Sequence, residues 1–373
     1  MKTGIDTLKN MDFAPLRDRR VGLLSHLAAV DEDGRTTAEI LHGAVDLVAL
    51  FGPEHGFLGR QLAGEPTDSF EHPDWHIPVH SLYGATREPS DDALAGLDCI
   101  VCDLQDLGVR CYTYLATLRN MMRACERMGV EVVVLDRPVP LPFCVDGPVR
   151  EAALDSFVAP IPVPFVYGMT LAEAARWIRA NLLPGVALAT IPLDVPSRGA
   201  IALPSPPRFV PPSPGIRSPE AGMVYPMTVF TEAIPSIDCG LGTDLAFQVF
   251  GAPWLDARAL CDSLPPEDFP GLRFEPCAFI SARAYKSQRL EGARIVVEDR
   301  DAFRPFTAGM RLLAAIFAHS GSAALWERPD TRPDWFDKLF GSPAPREALL
   351  AGAPFVCDDD AGYLASREAA LLY

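Results

Sequence analysis

Four short apolar runs, each stopped by a turn or a charged residue, limit what this chain can fold into more than any other feature. They are RRVGLLSH (19–26), VDLVALFGPEHG (45–56), DCIVCDLQD (98–106) and VEVVVLDRP (130–138). Between them lie segments with helical character. TTAEILHGA (36–44) has a threonine available as cap, DDALAGL (91–97) is short, and residues 112–128 place Tyr114, Leu118, Met121, Met122 and Cys125 on one face. Apolar strands interleaved with helices predict a parallel sheet covered on both faces, a doubly wound, Rossmann-like α/β arrangement. No GxGxxG joins the first strand to its helix, so a dinucleotide site has no support. In such sheets ligands bind beyond the carboxyl ends of the strands. Those ends carry Ser25–His26, Gly52–Gly56, Asp103–Arg110 and Asp136–Pro138.

The 373 residues are enough for about two domains. We expect a Rossmann-like catalytic domain over 1–150, a Pro-rich connecting segment with one helix over 151–222, and a smaller α+β domain over 223–373 that closes the cleft. The connecting segment holds YGMTLAEAARWIRANL, a helix with Thr170 as cap and Glu173 completing a capping box. The prolines of 192–220 predict an ordered loop laid over a site. Beyond it, MVYPMTVFTEA (223–233) and ARIVVEDRD (293–301) read as strands, and TAGMRLLAAIFAHS (307–320) and REALLAG (346–352) as helices. Trp177, Trp254 and Trp335 read as core.

A net charge of −16 argues against a nucleic-acid partner or an anionic membrane surface. No apolar run approaches the length of a membrane span, and the N-terminus has no signal core, which predicts a cytoplasmic protein. The nine cysteines are scattered, as for reduced, buried thiols. Cys99 and Cys102 have CxxC spacing, but on a strand residues three apart point to opposite faces. His72, His76 and His80 have four-residue spacing, but Pro73 and Pro78 break any helix that would align them for a metal.

The sharpest local signal is Gly52-Pro53-Glu54-His55-Gly56. A glutamate at a strand terminus in a partly desolvated cleft suits a general acid, the alternative being a turn whose Glu and His cap a helix. Asp103 and Gln105 share a face if the strand continues through them, and both can hydrogen-bond sugar hydroxyls. Arg110 can grip a carboxylate, or else tie strand to helix as a buried pair. Asp136 and Arg137 repeat the theme at the next strand end. Tyr225 either stacks on a sugar ring or packs at a strand end.

With these residues in view, the chain resembles the exo-β-N-acetylmuramidases, the NamZ-like glycosidases. The resemblance runs through GPEHG with its preceding LVALF, the LYG-TR-P of 82–89, DLQDLGVRCYTY (103–114), VVLDRP (133–138), VDGPV (145–149), YGMTLAE (167–173) and VYP (224–226). It continues in FGAPWLD (250–256), DRDAFRP (299–305) and FDKLFGSPAPRE (336–347). It implies hydrolysis of a terminal N-acetylmuramic acid from the non-reducing end of a peptidoglycan fragment, in a cleft between the two domains. A small sugar or muropeptide is then the partner, and no metal or organic cofactor is implied. Glu54 becomes the first choice for the catalytic acid. His55, Asp103, Gln105, Asp106, Arg110 and Tyr112 would line the cleft, with Arg110 or Arg137 selecting the lactyl carboxylate.

The chain departs from the family pattern at several points. Ser25-His26 replaces a Thr-Asn pair, Asp146 a glutamate, and Gly215 an asparagine. The family's Ser-Glu-Gly-Arg-Gly-Thr stretch reads Ile237-Asp238-Cys239-Gly240-Leu241-Gly242-Thr243, with the carboxylate shortened to Asp238 and the arginine replaced by Leu241. Glycoside hydrolysis generally needs two carboxyl groups or a substitute. The partner of Glu54 is open among Asp103, Asp106, Asp136, Asp238 and the substrate's own N-acetyl group. Catalytically impaired sugar binding, or hydrolysis of another anionic glycoside, are the alternative functions.

Overall fold

The computed structural model describes residues 1–58, 65, 68–320, 325–357 and 361–373. Its centre is a seven-stranded sheet. Outside it, β7 (Val145–Asp146) and β8 (Val166–Tyr167) pair as a two-stranded ribbon; within it, in chain order, the strands are β1 (Arg20–Ser25), β2 (Asp46–Gly52), β3 (Phe70–Glu71), β4 (Pro78–Ser81), β5 (Cys99–Asp103) and β6 (Glu131–Leu135), with β9 (Leu188–Ile191) at the far edge. Their spatial order is β3-β4-β2-β1-β5-β6-β9, parallel except for β3. The chain moves outward from β1 through β2 to β4, then returns to the other side of β1 as β5. That reversal opens a crevice at the carboxyl ends of β1 and β5, where α/β sheets bind ligands.

The helices follow from their caps and apolar stripes, the short α1 (Gly4–Asn10), α3 (Asp91–Leu94) and α7 (Ala257–Ser263) included. The helix α2 (Thr37–His42) begins at a Thr36–Glu39 capping box, and α5 (Leu171–Asn181) at the box of Thr170 and Glu173. The long α4 (Tyr114–Met128) buries Tyr114, Leu118, Met121, Met122 and Cys125, the stripe expected from its spacing. Cys99 lies in the apolar cluster on one face of the sheet and Cys102 in the cluster on the other.

The C-terminal half holds a three-stranded antiparallel sheet, β10 (Val249–Gly251), β12 (Arg289–Val297) and β11 (Leu272–Ile280), in the order β10-β12-β11. The fold is thus α/β with a smaller α+β C-terminal part. One correction falls here. Residues 223–233 are not a strand: they form most of helix α6 (Pro219–Thr228) and the 3₁₀ turn Val229–Glu232. Ser218 caps α6, with Pro219 in its first turn. The helix is buried almost all round, so its apolar run carries no helical period to tell it from a buried strand. It packs closely on α8 (Pro305–Ser320): a Cβ on Gly309 would lie 2.5 Å from the Met227 carbonyl oxygen. Among the described residues no helix is long and apolar enough to cross a membrane.

Candidate active site

Strand β2 delivers the GPEHG turn into the crevice. Gly52 has no room for a side chain, since a Cβ there would stand 2.5 Å from the Phe57 nitrogen. The turn closes with the Gly56 N–H on the Pro53 carbonyl at 2.9 Å, and His55 takes a left-handed φ of +70°. Glu54 and His55 are thereby held in the crevice with 6% and 7% of their surface exposed. Glu54 is arranged as an acceptor. The Thr113 hydroxyl donates to its Oε2 at 2.7 Å, and the Tyr83 phenol also bonds it. Tyr83 is held in turn by the Arg87 guanidinium, 3.7 Å from its ring centroid.

A second carboxyl comes from the C-terminal half. Glu232 ends the 3₁₀ turn after α6 and is half-buried. Burial pushes its pKa up to about 7. The nearby charge of Glu54 adds to this, while the Trp335 indole N–H and the charges of Arg332 and Arg283 pull the other way. Glu232 was not among the residues singled out from the sequence. It is nevertheless the only charged residue between Glu220 and Asp238, an isolated carboxyl in an otherwise uncharged run. Trp335, assigned to the core, is partly buried and packs on it.

Beneath the carboxyls runs a line of edge-on aromatic contacts. Ring centroids are 4.9 Å apart for His26–Tyr114, 4.8 Å for Tyr114–Tyr112, 5.9 Å for Tyr112–Tyr225 and 4.8 Å for Tyr225–Phe247. Tyr112 and Tyr225 are therefore floor residues with little exposed ring. His26 accepts the Gln105 main-chain N–H on Nε2 at 3.0 Å, which places its proton on Nδ1. Burial, with the charges of Arg137 and His55, pushes its pKa down to about 3, so it stays neutral. The Tyr114 hydroxyl donates to the Pro212 carbonyl at 2.7 Å, which fastens the Pro-rich loop to this ring.

Several expected site residues are committed elsewhere. Strand β5 stops at Asp103, so Asp103 and Gln105 do not share a strand face. Asp103 is fully buried, and its carboxylate is taken by a bidentate Arg137 and by the Thr37 hydroxyl. The pair clamps β5 to β6 and leaves Arg137 with a protein partner. The Gln105 amide donates to the Asp106 and Pro138 carbonyls. Asp106 accepts from the Tyr167 hydroxyl and the Gly108 N–H, and burial raises its pKa to about 6. Asp136 caps α5 through Thr170 and Ala172 and accepts the Tyr373 hydroxyl; burial raises its pKa to about 7. Asp238 accepts the Gly240 N–H and the Ser281 hydroxyl. Each of the four aspartates offered as partners for Glu54 thus has partners in the framework, with the Asp106 Oδ1 alone buried without one.

Arg110 likewise holds the fold together. Its guanidinium is fully buried and donates to the carbonyls of Pro148, Val163 and Phe340, with no carboxylate beside it. Arg110→Met is expected to leave these acceptors unpaired and to cost about 3 kcal/mol or more in denaturant unfolding. Arg110→Met with wild-type stability would show that the three bonds contribute little.

The spaced histidines go separate ways. His72 stacks on Trp75, His76 pairs with Glu71, and His80 lies against Phe51. Among the described residues no group of three or more His, Cys, Asp or Glu is placed to hold a metal ion.

Comparison with known proteins bears on this geometry. The N-terminal model of exo-β-N-acetylmuramidase NamZ matches residues 21–220, and the C-terminal model matches 223–357. The peptidoglycan β-N-acetylmuramidase NamZ of Bacillus subtilis (strain 168) is 32% identical over 320 residues, covering 85% of this chain and 77% of that protein. A DUF1343 family protein from Bacteroides fragilis NCTC 9343, solved at 1.65 Å, superposes with a TM-score of 0.88 at 28% identity, covering 100% of this chain and 98% of that one. A second protein of that family and organism, solved at 1.30 Å, shares the fold with a TM-score of 0.76 at 24% identity over the same shares. With both halves matched in order across the carboxyl-lined crevice, the chain belongs to the NamZ family of exo-β-N-acetylmuramidases.

Proposed function

We propose that this protein is a glycoside hydrolase that releases terminal N-acetylmuramic acid from the non-reducing end of peptidoglycan fragments. The observation that carries the proposal is the pair Glu54 and Glu232, two carboxyls from different halves of the chain, the charge of Glu54 reaching the carboxyl of Glu232. Their environments divide the work. Glu232, with a pKa near 7, holds a proton at neutral pH and donates it to the glycosidic oxygen as the bond to the anomeric carbon breaks. Glu54, already an acceptor for Thr113 and Tyr83, takes a proton from the water that attacks that carbon. This moves the acid role from Glu54, where the sequence placed it, to Glu232. The two carboxyls exchange protons with solvent before the next turnover. Tyr112 and Tyr225 support the sugar from below. Action in the cytoplasm, on fragments recovered during cell-wall recycling, fits nine cysteines that are all free thiols.

The test is hydrolysis of para-nitrophenyl β-N-acetylmuramide by the purified protein, with the N-acetylglucosaminide alongside. Release of nitrophenolate from the muramide is expected. No release from either sugar, together with a thermal shift on adding N-acetylmuramic acid, would replace the hydrolase with a binding protein.

A further inference from the structure

We propose that the open edge of the large sheet, at β9, is a docking groove for an extended acidic segment of a partner protein. The inference is independent of the hydrolase reading and uses none of the residues assigned to catalysis.

Its starting point is a set of unpaired main-chain groups. Strand β9 pairs with β6 alone and ends the sheet on that side. The Val132 N–H bonds the Ala187 carbonyl at 2.8 Å, and the Asp136 N–H bonds the Ile191 carbonyl at 2.9 Å. Along a parallel ladder alternate residues turn to the partner strand, so Ala187, Ala189 and Ile191 serve β6. The N–H and C=O groups of Leu188 and Thr190 point the other way, and among the described residues no hydrogen bond takes them up. A row of this kind is a template for another strand.

The edge is not covered but set in a groove. The helix Ala361–Glu368 lies beside α5, where the Trp177 indole N–H donates to the Ser366 hydroxyl at 2.9 Å. The Arg367 guanidinium, donating to the Gly168 carbonyl at 2.9 Å, holds that helix in place. A cavity of about 590 Å³ is lined by residues of both helices and by Leu188 and Thr190. Ala180, Ala369 and Ala370 also line it, and their short side chains keep it open.

Two cations select the occupant. Arg176 and Arg179, three residues apart on α5, both line the cavity. Arg176 is half-buried and Arg179 exposed. Among the described residues neither has an ion pair or a hydrogen bond. In a chain of net charge −16 carboxylates are plentiful, yet neither arginine takes one. An acidic strand answers both features. Its main chain continues the ladder at Leu188 and Thr190. Carboxylates at every second residue share one face and meet the guanidiniums in charge-assisted pairs. A second copy of this chain, offering its own β9, would instead bring like charges together.

The experiment follows a labelled Thr-Glu-Thr-Glu-Thr-Glu peptide by fluorescence anisotropy with the intact protein. The acidic peptide is expected to bind. Glutamine in place of each glutamate is expected to weaken it about 10- to 100-fold, the span of charge-assisted hydrogen bonds. Proline in place of the inner threonines removes main-chain donors and is expected to weaken it about 10-fold or more. Arg176→Gln and Arg179→Gln are each expected to weaken the acidic peptide about 10-fold and to leave the glutamine peptide unchanged. Arg258→Gln removes an exposed charge elsewhere and is expected to change neither. No binding of the acidic peptide, or equal binding of the glutamine or proline peptide, overturns the proposal. So does an affinity unmoved in both variants on α5, or lowered as much by Arg258→Gln. Self-association that Arg176→Gln strengthens would assign the edge to a second copy and overturn it too.

Discussion

Glu54→Gln is expected to lower the turnover of a muramide about 10³-fold, with the melting temperature unchanged. Glutamine keeps the shape of the side chain, and its amide oxygen still accepts the Thr113 hydroxyl, which bonds Oε2 at 2.7 Å in the wild type. What it loses is the ability to take up a proton. The same substitution has a second, independent signature. The charge of Glu54 is one of the reasons the Glu232 carboxyl titrates high, so removing it is expected to shift the Glu232 titration downward, as followed by carbon NMR of the labelled carboxyls. A variant with near-normal turnover would remove Glu54 from the mechanism. An unmoved Glu232 titration would show that the two carboxyls do not act as a pair.

Glu232→Gln is expected to cost about 10² to 10⁴ in kcat/KM and to change the shape of the pH profile. In the wild-type protein the donor is protonated below about pH 7 and is lost as pH rises through that value, so kcat/KM falls on the alkaline side. The variant has no proton to lose there, and that limb should vanish from its residual activity. A leaving group that needs no protonation, such as a dinitrophenolate, should recover much of the rate in the variant. If the alkaline limb persists in Glu232→Gln, another group is the donor. If an activated leaving group recovers nothing, Glu232 acts through structure and not through its proton.

How much of this was legible in the sequence differs from residue to residue, for physical reasons. The strands of the large sheet are buried on both faces, so they appear as apolar runs that need no partner to be recognised. The GPEHG turn was equally plain, because Gly52 is required where the backbone passes Phe57. What the chain does not display is pairing at long range. Arg110, Arg137, Asp136 and Asp238 look like free polar groups at strand ends or turns. Their partners lie far along the chain, for example 230 residues away for Arg110 and Phe340. Each could therefore be assigned to substrate only because its real partner was out of sight. Glu232 was hidden by the opposite error. With α6 taken for a strand, the turn that presents this carboxyl to Glu54 could not be placed.

The apolar cluster on the α4 side of the sheet has a further consequence. Leu24, Phe51 and Tyr114 belong to the same unbroken cluster as Phe230, Phe306, Phe340 and Tyr363. Two regions that are matched by separate family models therefore share one interior, and each contributes one carboxyl of the proposed pair. Recombination between relatives that exchanged one half alone would join two surfaces shaped by different packing partners. The family is thus expected to pass on both halves together, with changes on one side of the shared interior answered by changes on the other.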